Sequence, residues 1–228
     1  AGGAEAINKA AKLLSEAKFP VILSGAGVVI GGAIDDCVKL AEKLDSPVCS
    51  GYQHNDSFPG SHPLAVGPLG YNGSKAAMEL ISKADVVLAL GTRLNPFSTL
   101  PGYGIDYWPK NASIIQVDIN PDRIGLTKKV TVGISGDAKL VAQQIFDKLS
   151  SSAGEVDRQK RKDLIHQTKS AWLQKLSSLD HEEDDEGTVW NKEARERDKD
   201  RMSPRQAWRA IQAAMPEDVI ISSDIGNN

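Results

Sequence analysis

Short apolar runs alternate with segments of helical periodicity over the first 150 residues. The runs have the length and composition of buried strands, and they lie at residues 21–24, 47–50, 64–66, 85–91, 113–117 and 130–134. Apolar residues three or four positions apart indicate helices at 4–18, after the glycines that follow the first strand, at 74–83 and at 137–150. This alternation predicts an α/β fold, a doubly wound, mostly parallel six-stranded Rossmann-like sheet.

The pattern changes after Ser150. Residues 156–179 predict a polar helix with a thin apolar stripe, and residues 180–201 are mostly charged. Ser203 and Pro204 are typical of a helix start, and an apolar strand is expected at 218–223 before a polar glycine turn. We therefore expect a domain over 1–150, a helical and charged connector over 151–201, and the start of a second domain over 202–228. That truncated second domain indicates a piece of a longer chain.

A glycine-marked turn follows the first strand. Gly25, Gly27 and Gly31 are spaced G-x-G-x-x-x-G, and glycines at such a turn let backbone amides approach a phosphate or carboxylate. The alternative is that they only pack a helix on a strand. The acidic residue that a NAD ribose requires after the second strand is replaced by Gly51-Tyr52-Gln53, which disfavours a NAD dehydrogenase.

Glycine and polar residues recur where the predicted strands end, which is where doubly wound sheets bind ligands. They are Gly25, Gly27, Ser50, Gly51, Gly67, Gly70, Gly91, Arg93, Asp118, Gly136 and Asp137. A long loop over 51–73 also carries His54 and His62, which could contact a substrate or stabilise the loop.

Composition narrows the function classes. The 228 residues are 40% hydrophobic and 25% charged, with a formal net charge of −3 and no basic stripe, so a nucleic-acid partner is not expected. No run reaches the roughly 18 apolar residues of a membrane span. Cys37 and Cys49 fit reduced core thiols of a cytoplasmic protein. The charged segment does not space carboxylates around an ion, so no metal ligand is predicted.

Five segments in this order resemble the central domain of thiamine-diphosphate enzymes of the acetolactate synthase and pyruvate oxidase group. They are PVILSGAGV, FPGSHPLAVGPLGYNG, ADVVLALGTRLNPF, IIQVDINPDRIG and ISGDA, and the resemblance covers about residues 5–148. The tail over 202–228 resembles the first helix and strand of the family's diphosphate-binding domain. Within the family, residues 102–139 are most similar to the sulfoacetaldehyde acetyltransferases.

The resemblance implies thiamine diphosphate and Mg²⁺ as cofactors of a longer parent protein. It implies cleavage of sulfoacetaldehyde, release of sulfite and transfer of the acetyl group to phosphate, a reaction of taurine or sulfonate degradation. It also implies a homo-oligomer, a dimer or tetramer, because family active sites form between two chains. No catalytic residue is expected in this fragment, which should be inactive alone. The alternatives are an acetolactate synthase-type enzyme and a stand-alone adenine-nucleotide-binding module.

The resemblance also implies site residues. The central domain of some relatives binds FAD or another adenine nucleotide, and the matching positions are Gly25, Ala26, Gly27, Gly70, Gly91, Thr92, Arg93, Asp118, Gly136 and Asp137. Arg93 could bind a phosphate and Asp118 a ribose; the alternative is a fold whose glycines only shape turns. In the tail, Asp224, Gly226 and Asn227 match positions near thiamine diphosphate.

Overall fold

The computed structural model describes residues 3–70, 73–150, 155–178, 204–216 and 218–221. The chain divides into two compact units, Ala1–Trp172 and Leu173–Asn228. The first unit contains the whole sheet, so the fold that positions a candidate site lies there.

Six parallel strands form the sheet, in the order β3-β2-β1-β4-β5-β6. Their bounds are β1 (Pro20–Ser24), β2 (Val48–Ser50), β3 (Ala65–Pro68), β4 (Val86–Leu90), β5 (Ser113–Asp118) and β6 (Val132–Ser135). Every strand pair is parallel. The predicted doubly wound six-stranded sheet is therefore confirmed, and the strand order reverses between β1 and β4, where such sheets bind ligands.

Burial explains which strands the sequence pattern marks most clearly. All five residues of β1 and of β4 are buried, as expected for central parallel strands covered on both faces. The edge strand β6 instead alternates buried and exposed residues. At the sheet centre Leu23 pairs with Cys49 on one side and with Ala89 on the other.

Seven α-helices accompany these strands in the described part of the chain. Their bounds are α1 (Ala4–Glu16), α2 (Ala26–Ile30), α3 (Ile34–Leu44), α4 (Lys75–Ile81), α5 (Ala138–Lys148), α6 (Glu155–Ser178) and α7 (Pro204–Ala214). The single helix expected after the first glycines is two helices, α2 and α3. Gly32 adopts a φ of +60° at the break between them, a backbone conformation that interrupts a helix.

Asp45 anchors the first half of α6 to the sheet domain. This aspartate ends α3 in the left-handed conformation, with φ 47°, and its side chain is only 6% exposed. Its carboxylate contacts Arg158 and lies 3.1 Å from the Lys162 Nζ, so two cations of α6 share one carboxylate. The start of α6 is thereby attached to the segment that precedes β2.

Further contacts of α6 reach the segments that precede β1 and β3. Arg161 donates to the Lys18 carbonyl at 2.9 Å, and Lys169 donates to the His62 carbonyl at 3.1 Å. Partial burial lowers the pKa of Lys169. Ile165, between them, is buried. The first part of α6 therefore contacts the sheet domain through the apolar side chains of Leu164 and Ile165 and through cationic side chains that bind carbonyl and carboxylate oxygens.

The second unit contains the end of α6 and α7. Trp208 and Ile211 of α7 are 41% and 47% exposed. The strand expected at 218–223 is wrong for the residues described, because 218–221 form no strand and Ile220 is 94% exposed. A strand requires a paired neighbour, and none pairs with these residues in the described part of the chain. The predicted charged segment at 180–201 and residues 222–223 lie outside the described residues.

Both cysteines are free and buried in the sheet domain. Burial raises the pKa of the Cys37 thiol from 9.0 to about 12, and it also raises the pKa of Cys49. Unreactive protonated thiols are expected from such surroundings. None of the described helices is both long and apolar enough to cross a membrane.

Candidate functional site

A cavity of about 540 Å³ lies at the carboxyl edge of the sheet, where the strand order reverses. Loops that follow β1, β2, β4, β5 and β6 form its wall. The wall contains nine of the ten central-domain positions implied by the resemblance, all except Gly70: Gly25, Ala26, Gly27, Gly91, Thr92, Arg93, Asp118, Gly136 and Asp137. It also contains residues that the sequence did not single out as site residues, including Ile30, Phe97, Ile119 and Arg123.

Close packing of two loops explains the glycines at the base of the cavity. A Cβ on Gly27 would lie 2.7 Å from the Gly91 Cα, and Gly91 itself has φ +61°. The Gly25 amide donates to the Leu90 carbonyl at 3.1 Å, and the Gly27 amide donates to the Gly91 carbonyl at 2.8 Å. These two amides therefore bond within the protein, and the glycines permit the loops after β1 and β4 to touch.

Gly70 lies beside the cavity wall. Its φ is +102°, and a Cβ there would be 2.1 Å from the Phe97 carbonyl oxygen. Phe97 and Ser98 do line the cavity. Gly70 therefore shapes the site indirectly, by allowing the loop after β3 to pack against the loop that carries these two residues.

Two carboxylates in the wall are oriented by local backbone amides. Asp118, at the end of β5, is buried and accepts from the Asn120 amide at 2.9 Å. Asp137 caps α5 by accepting from the Leu140 amide at 3.0 Å. Each bond involves one oxygen, Oδ1. The other oxygen, Oδ2, can still accept a hydrogen bond from a ligand hydroxyl.

Two arginines add positive charge to the same wall. Arg93 follows β4 and Arg123 follows β5, and both side chains are exposed. Neither forms an ion pair with any described residue. Guanidinium groups that are not already paired are suited to bind a phosphate or another oxyanion.

Arg123 was not identified as a site residue from the sequence, because only the turn after β5 brings it to the cavity wall. Asn120 begins a short 3₁₀ helix, Pro121–Arg123, by accepting from the Asp122 amide at 3.0 Å. That turn brings Arg123 back to the cavity directly after β5. The Asn-Pro-Asp sequence was a usable turn signal.

Apolar side chains form the rim of the cavity. Ile30 is 85% exposed, Phe97 is 61% exposed and Ile119 is 74% exposed. Large exposed apolar side chains beside convergent charged groups are typical of a ligand-binding surface. The combination suits a ligand that has both an anionic part and a flat apolar part.

The two histidines of the long loop have different positions. His54 lines the cavity, with its Nδ1 3.7 Å from a carboxylate oxygen of Asp56. His62 is not in the wall; its ring packs edge-on against Phe58, and its Nδ1 accepts from the Leu64 amide at 3.2 Å. His62 therefore stabilises the loop, whereas His54 is available to a ligand.

Residues 7–145, more than half of the chain, match the family described as "Thiamine pyrophosphate enzyme, central domain". The chain belongs to this family. It is 77% identical over its whole length to "Probable sulfoacetaldehyde acetyltransferase" of Rhizobium meliloti and 73% identical to "Sulfoacetaldehyde acetyltransferase" of Roseovarius nubinhibens. It spans only 39% and 38% of the lengths of these two proteins.

A solved structure has the same fold. It is the X-ray structure of "a putative thiamin diphosphate-dependent enzyme" from Mycobacterium smegmatis, which matches with a TM-score of 0.55 and 27% sequence identity. The match covers 66% of this chain and 28% of that one. The family and its fold, both expected from the sequence, are confirmed.

The tail positions that the resemblance implies for thiamine diphosphate are not among the residues that the structure describes. They are Asp224, Gly226 and Asn227. Within the described ranges no group of three or more His, Cys, Asp or Glu side chains could hold a metal ion. The cavity of the central domain is therefore the candidate site in this part of the chain.

Proposed function

We propose that the chain is part of a thiamine-diphosphate-dependent acyltransferase that converts sulfoacetaldehyde and phosphate to acetyl phosphate and sulfite. The observation that carries the proposal is the 77% identity, over the entire chain, to a protein bearing that enzyme's name. In this proposal the reaction belongs to taurine or sulfonate degradation, and the fragment alone is inactive.

We assign a proposed role to each of the three segments expected from the sequence. Residues 1–150 form the central domain, 151–201 a connector and 202–228 the start of the diphosphate-binding domain. Thiamine diphosphate would supply the nucleophilic carbon of the reaction, and Asp224, Gly226 and Asn227 are the residues of this chain proposed to lie near it. Mg²⁺ would be held by residues beyond this chain.

A homo-oligomer, a dimer or tetramer, and a cytoplasmic location complete the proposal. The oligomer is supported by the family resemblance, because family active sites form between two chains. Two free, buried thiols support a reducing compartment. Sedimentation of the full-length protein tests the oligomer, and a monomeric enzyme with full activity contradicts it.

Substrate choice separates this proposal from an acetolactate synthase. The full-length protein, with thiamine diphosphate and Mg²⁺, should be given sulfoacetaldehyde or pyruvate as alternative substrates, and kcat/KM should be measured for each. We expect kcat/KM to favour sulfoacetaldehyde by at least about a hundredfold. The carboxylate of pyruvate has one oxygen fewer than a sulfonate and is bonded directly to the carbonyl carbon, so donors placed for the sulfonate stay unpaired. Preference for pyruvate with acetolactate as product supports the alternative enzyme.

A second candidate function, an adenine-nucleotide site, is supported by the cavity itself. Arg93 and Arg123 could bind phosphates, Asp118 could accept from a ribose hydroxyl, and Ile119 offers an exposed apolar face to a base. We propose ADP as the simplest probe and FAD as a second one. In this proposal the site is part of the enzyme; tight binding by the 228-residue chain alone would support the stand-alone module.

Arg93→Ala is expected to weaken ADP binding about tenfold, because a charge-assisted hydrogen bond to a phosphate is lost. Isothermal titration of the full-length protein measures the change. Arg93→Lys keeps the charge but not the planar fork, and an intermediate affinity is expected. Lys39→Ala, an exposed cation of α3 outside the cavity wall, is the control. Equal affinities for the Arg93→Ala variant and the wild type would exclude Arg93 as a phosphate ligand.

A further inference from the structure

Gln116 connects the two arginine-bearing loops of the cavity. This residue of β5 is only 1% exposed. Its Nε2 donates to the Thr92 carbonyl at 3.2 Å and to the Arg123 carbonyl at 3.1 Å. Its Oε1 accepts from the Gly125 amide at 2.9 Å. One buried amide therefore bonds the loop after β4 and the loop after β5.

The bonds of Gln116 go to loops rather than to the core around it. Its neighbours Ile115 and Val117 are apolar and fully buried, as expected in a central parallel strand. A buried amide among such residues is costly unless its polar atoms are paired. All three of these bonds are made to backbone groups of loops at the carboxyl edge of the sheet. Gln116 therefore stabilises the loops rather than the core.

A second contact joins the same two loops. The Thr127 hydroxyl donates to the Leu94 carbonyl at 2.8 Å. Leu94 is buried and has φ 54°, a conformation that costs a non-glycine residue free energy. Its amide also donates to the Thr92 hydroxyl oxygen at 3.2 Å. The backbone on both sides of Arg93 is therefore held by hydrogen bonds, with Leu94 in the left-handed conformation.

We propose that Gln116 is a positioning residue that holds Arg93 and Arg123 in place so that both can bind one anionic ligand. Arg93 directly follows Thr92, whose carbonyl Gln116 binds, and Arg123 supplies the other carbonyl itself. Loss of the amide frees both carbonyls and removes the acceptor of the Gly125 amide. The arginines then remain present, but the backbone segments that carry them are no longer bonded to one shared side chain. This inference rests on the proposed nucleotide role of the cavity.

The first test measures ADP affinity in the full-length protein. Gln116→Met keeps the side-chain length and removes all three hydrogen bonds, and we expect at least tenfold weaker binding. Ile115→Val is the control, because it removes one buried methylene from the same strand without touching either loop. We expect its affinity to stay within twofold of the wild type.

Non-additivity distinguishes positioning from a general structural effect. In a protein that already carries Arg93→Ala and Arg123→Ala, Gln116→Met should change the ADP affinity by less than about twofold, because the groups that it positions are gone. A residue that only supports the fold would produce the same loss in both backgrounds. An additive loss therefore overturns the proposal.

Hydrogen exchange tests the loop coupling without any ligand. In Gln116→Met, amides at 92–95 and 123–127 should exchange at least tenfold faster than in the wild type, while the amides of β4 and β5 exchange at the wild-type rate. In the Ile115→Val control, all of these amides should exchange at the wild-type rate. Unchanged exchange in either loop overturns the positioning role. If the wild type fails to bind ADP, the nucleotide candidate fails, and this exchange experiment alone decides the role of Gln116.

Discussion

Gly91→Ala is expected to lower the free energy of unfolding by about 2–6 kcal/mol. Left-handed backbone costs a non-glycine residue about 1–3 kcal/mol, and overpacking typically adds about 1–3 kcal/mol. Here φ is +61°, and the added Cβ would lie 2.7 Å from both the Gly27 Cα and the Val28 nitrogen. Both are backbone atoms of α2, so the start of this helix or the loop after β4 would have to move. Urea unfolding, followed by circular dichroism, measures the loss.

Gly32→Ala is the matched control for this substitution. Gly32 has nearly the same φ, +60°, but no atom lies within 4 Å of its added Cβ. Only the conformational cost of about 1–3 kcal/mol, the same as at Gly91, is expected there. If Gly91→Ala costs no more than Gly32→Ala, the contact between the loops after β1 and β4 does not constrain the site as proposed.

Asp45→Ala is expected to destabilise the protein by about 2–3 kcal/mol. Alanine in the left-handed conformation loses about 1–2 kcal/mol relative to residues that adopt it readily, and the contacts with Arg158 and Lys162 are lost as well. The two cations are 33% and 50% exposed, so solvent screening limits their share to about 1 kcal/mol. Unfolding in urea measures the total.

Two further variants separate these contributions. Asp45→Gly removes the backbone cost and should retain only the loss of the ion pairs. Asp106→Ala breaks an exposed pair, in which Lys110 and Asp106 are 77% and 60% exposed, and should leave the stability close to that of the wild type. If the Asp45→Gly variant is as stable as the wild type, the two cations of α6 contribute nothing to stability.

The sheet could be predicted because its signal is local. Strands such as β1 and β4 are buried on both faces, so each is an uninterrupted apolar run between turn residues. The break between α2 and α3 was missed because the periodicity continues across Gly31 and Gly32, and only the positive φ of Gly32 reveals the interruption. The expected strand near the end of the chain failed because strand formation depends on a neighbour that no local pattern provides.

The packing of α6 could not be predicted from periodicity. The sequence showed a polar helix, and its attachment to the sheet domain uses Arg161 on a carbonyl and Arg158 on Asp45. Such contacts give no periodic signal, because a long cationic side chain can reach a backbone group or a carboxylate of a segment distant in sequence. Polar helices attached in this way resemble solvated connectors at the sequence level.

Nine of the ten central-domain positions implied by the resemblance lie around one cavity, and the bonds at its glycines favour the packing alternative. Their position at strand ends followed from the fold, whereas the amides of Gly25 and Gly27 bond within the protein. Arg123 and Ile119 were missed because a charge or an exposed isoleucine in a loop carries no periodic signal. Gln116 appeared only as a polar interruption of an apolar strand, and its three bonds require the folded loops.

Sulfite release with and without phosphate is the most direct test of the proposed acetyltransferase. The full-length protein is supplied with thiamine diphosphate, Mg²⁺ and sulfoacetaldehyde, and sulfite and acetyl phosphate are measured together. We predict equal amounts of both products, formed only when phosphate and thiamine diphosphate are present. No sulfite from sulfoacetaldehyde, together with conversion of pyruvate to acetolactate, would contradict the proposed activity while leaving the family assignment intact.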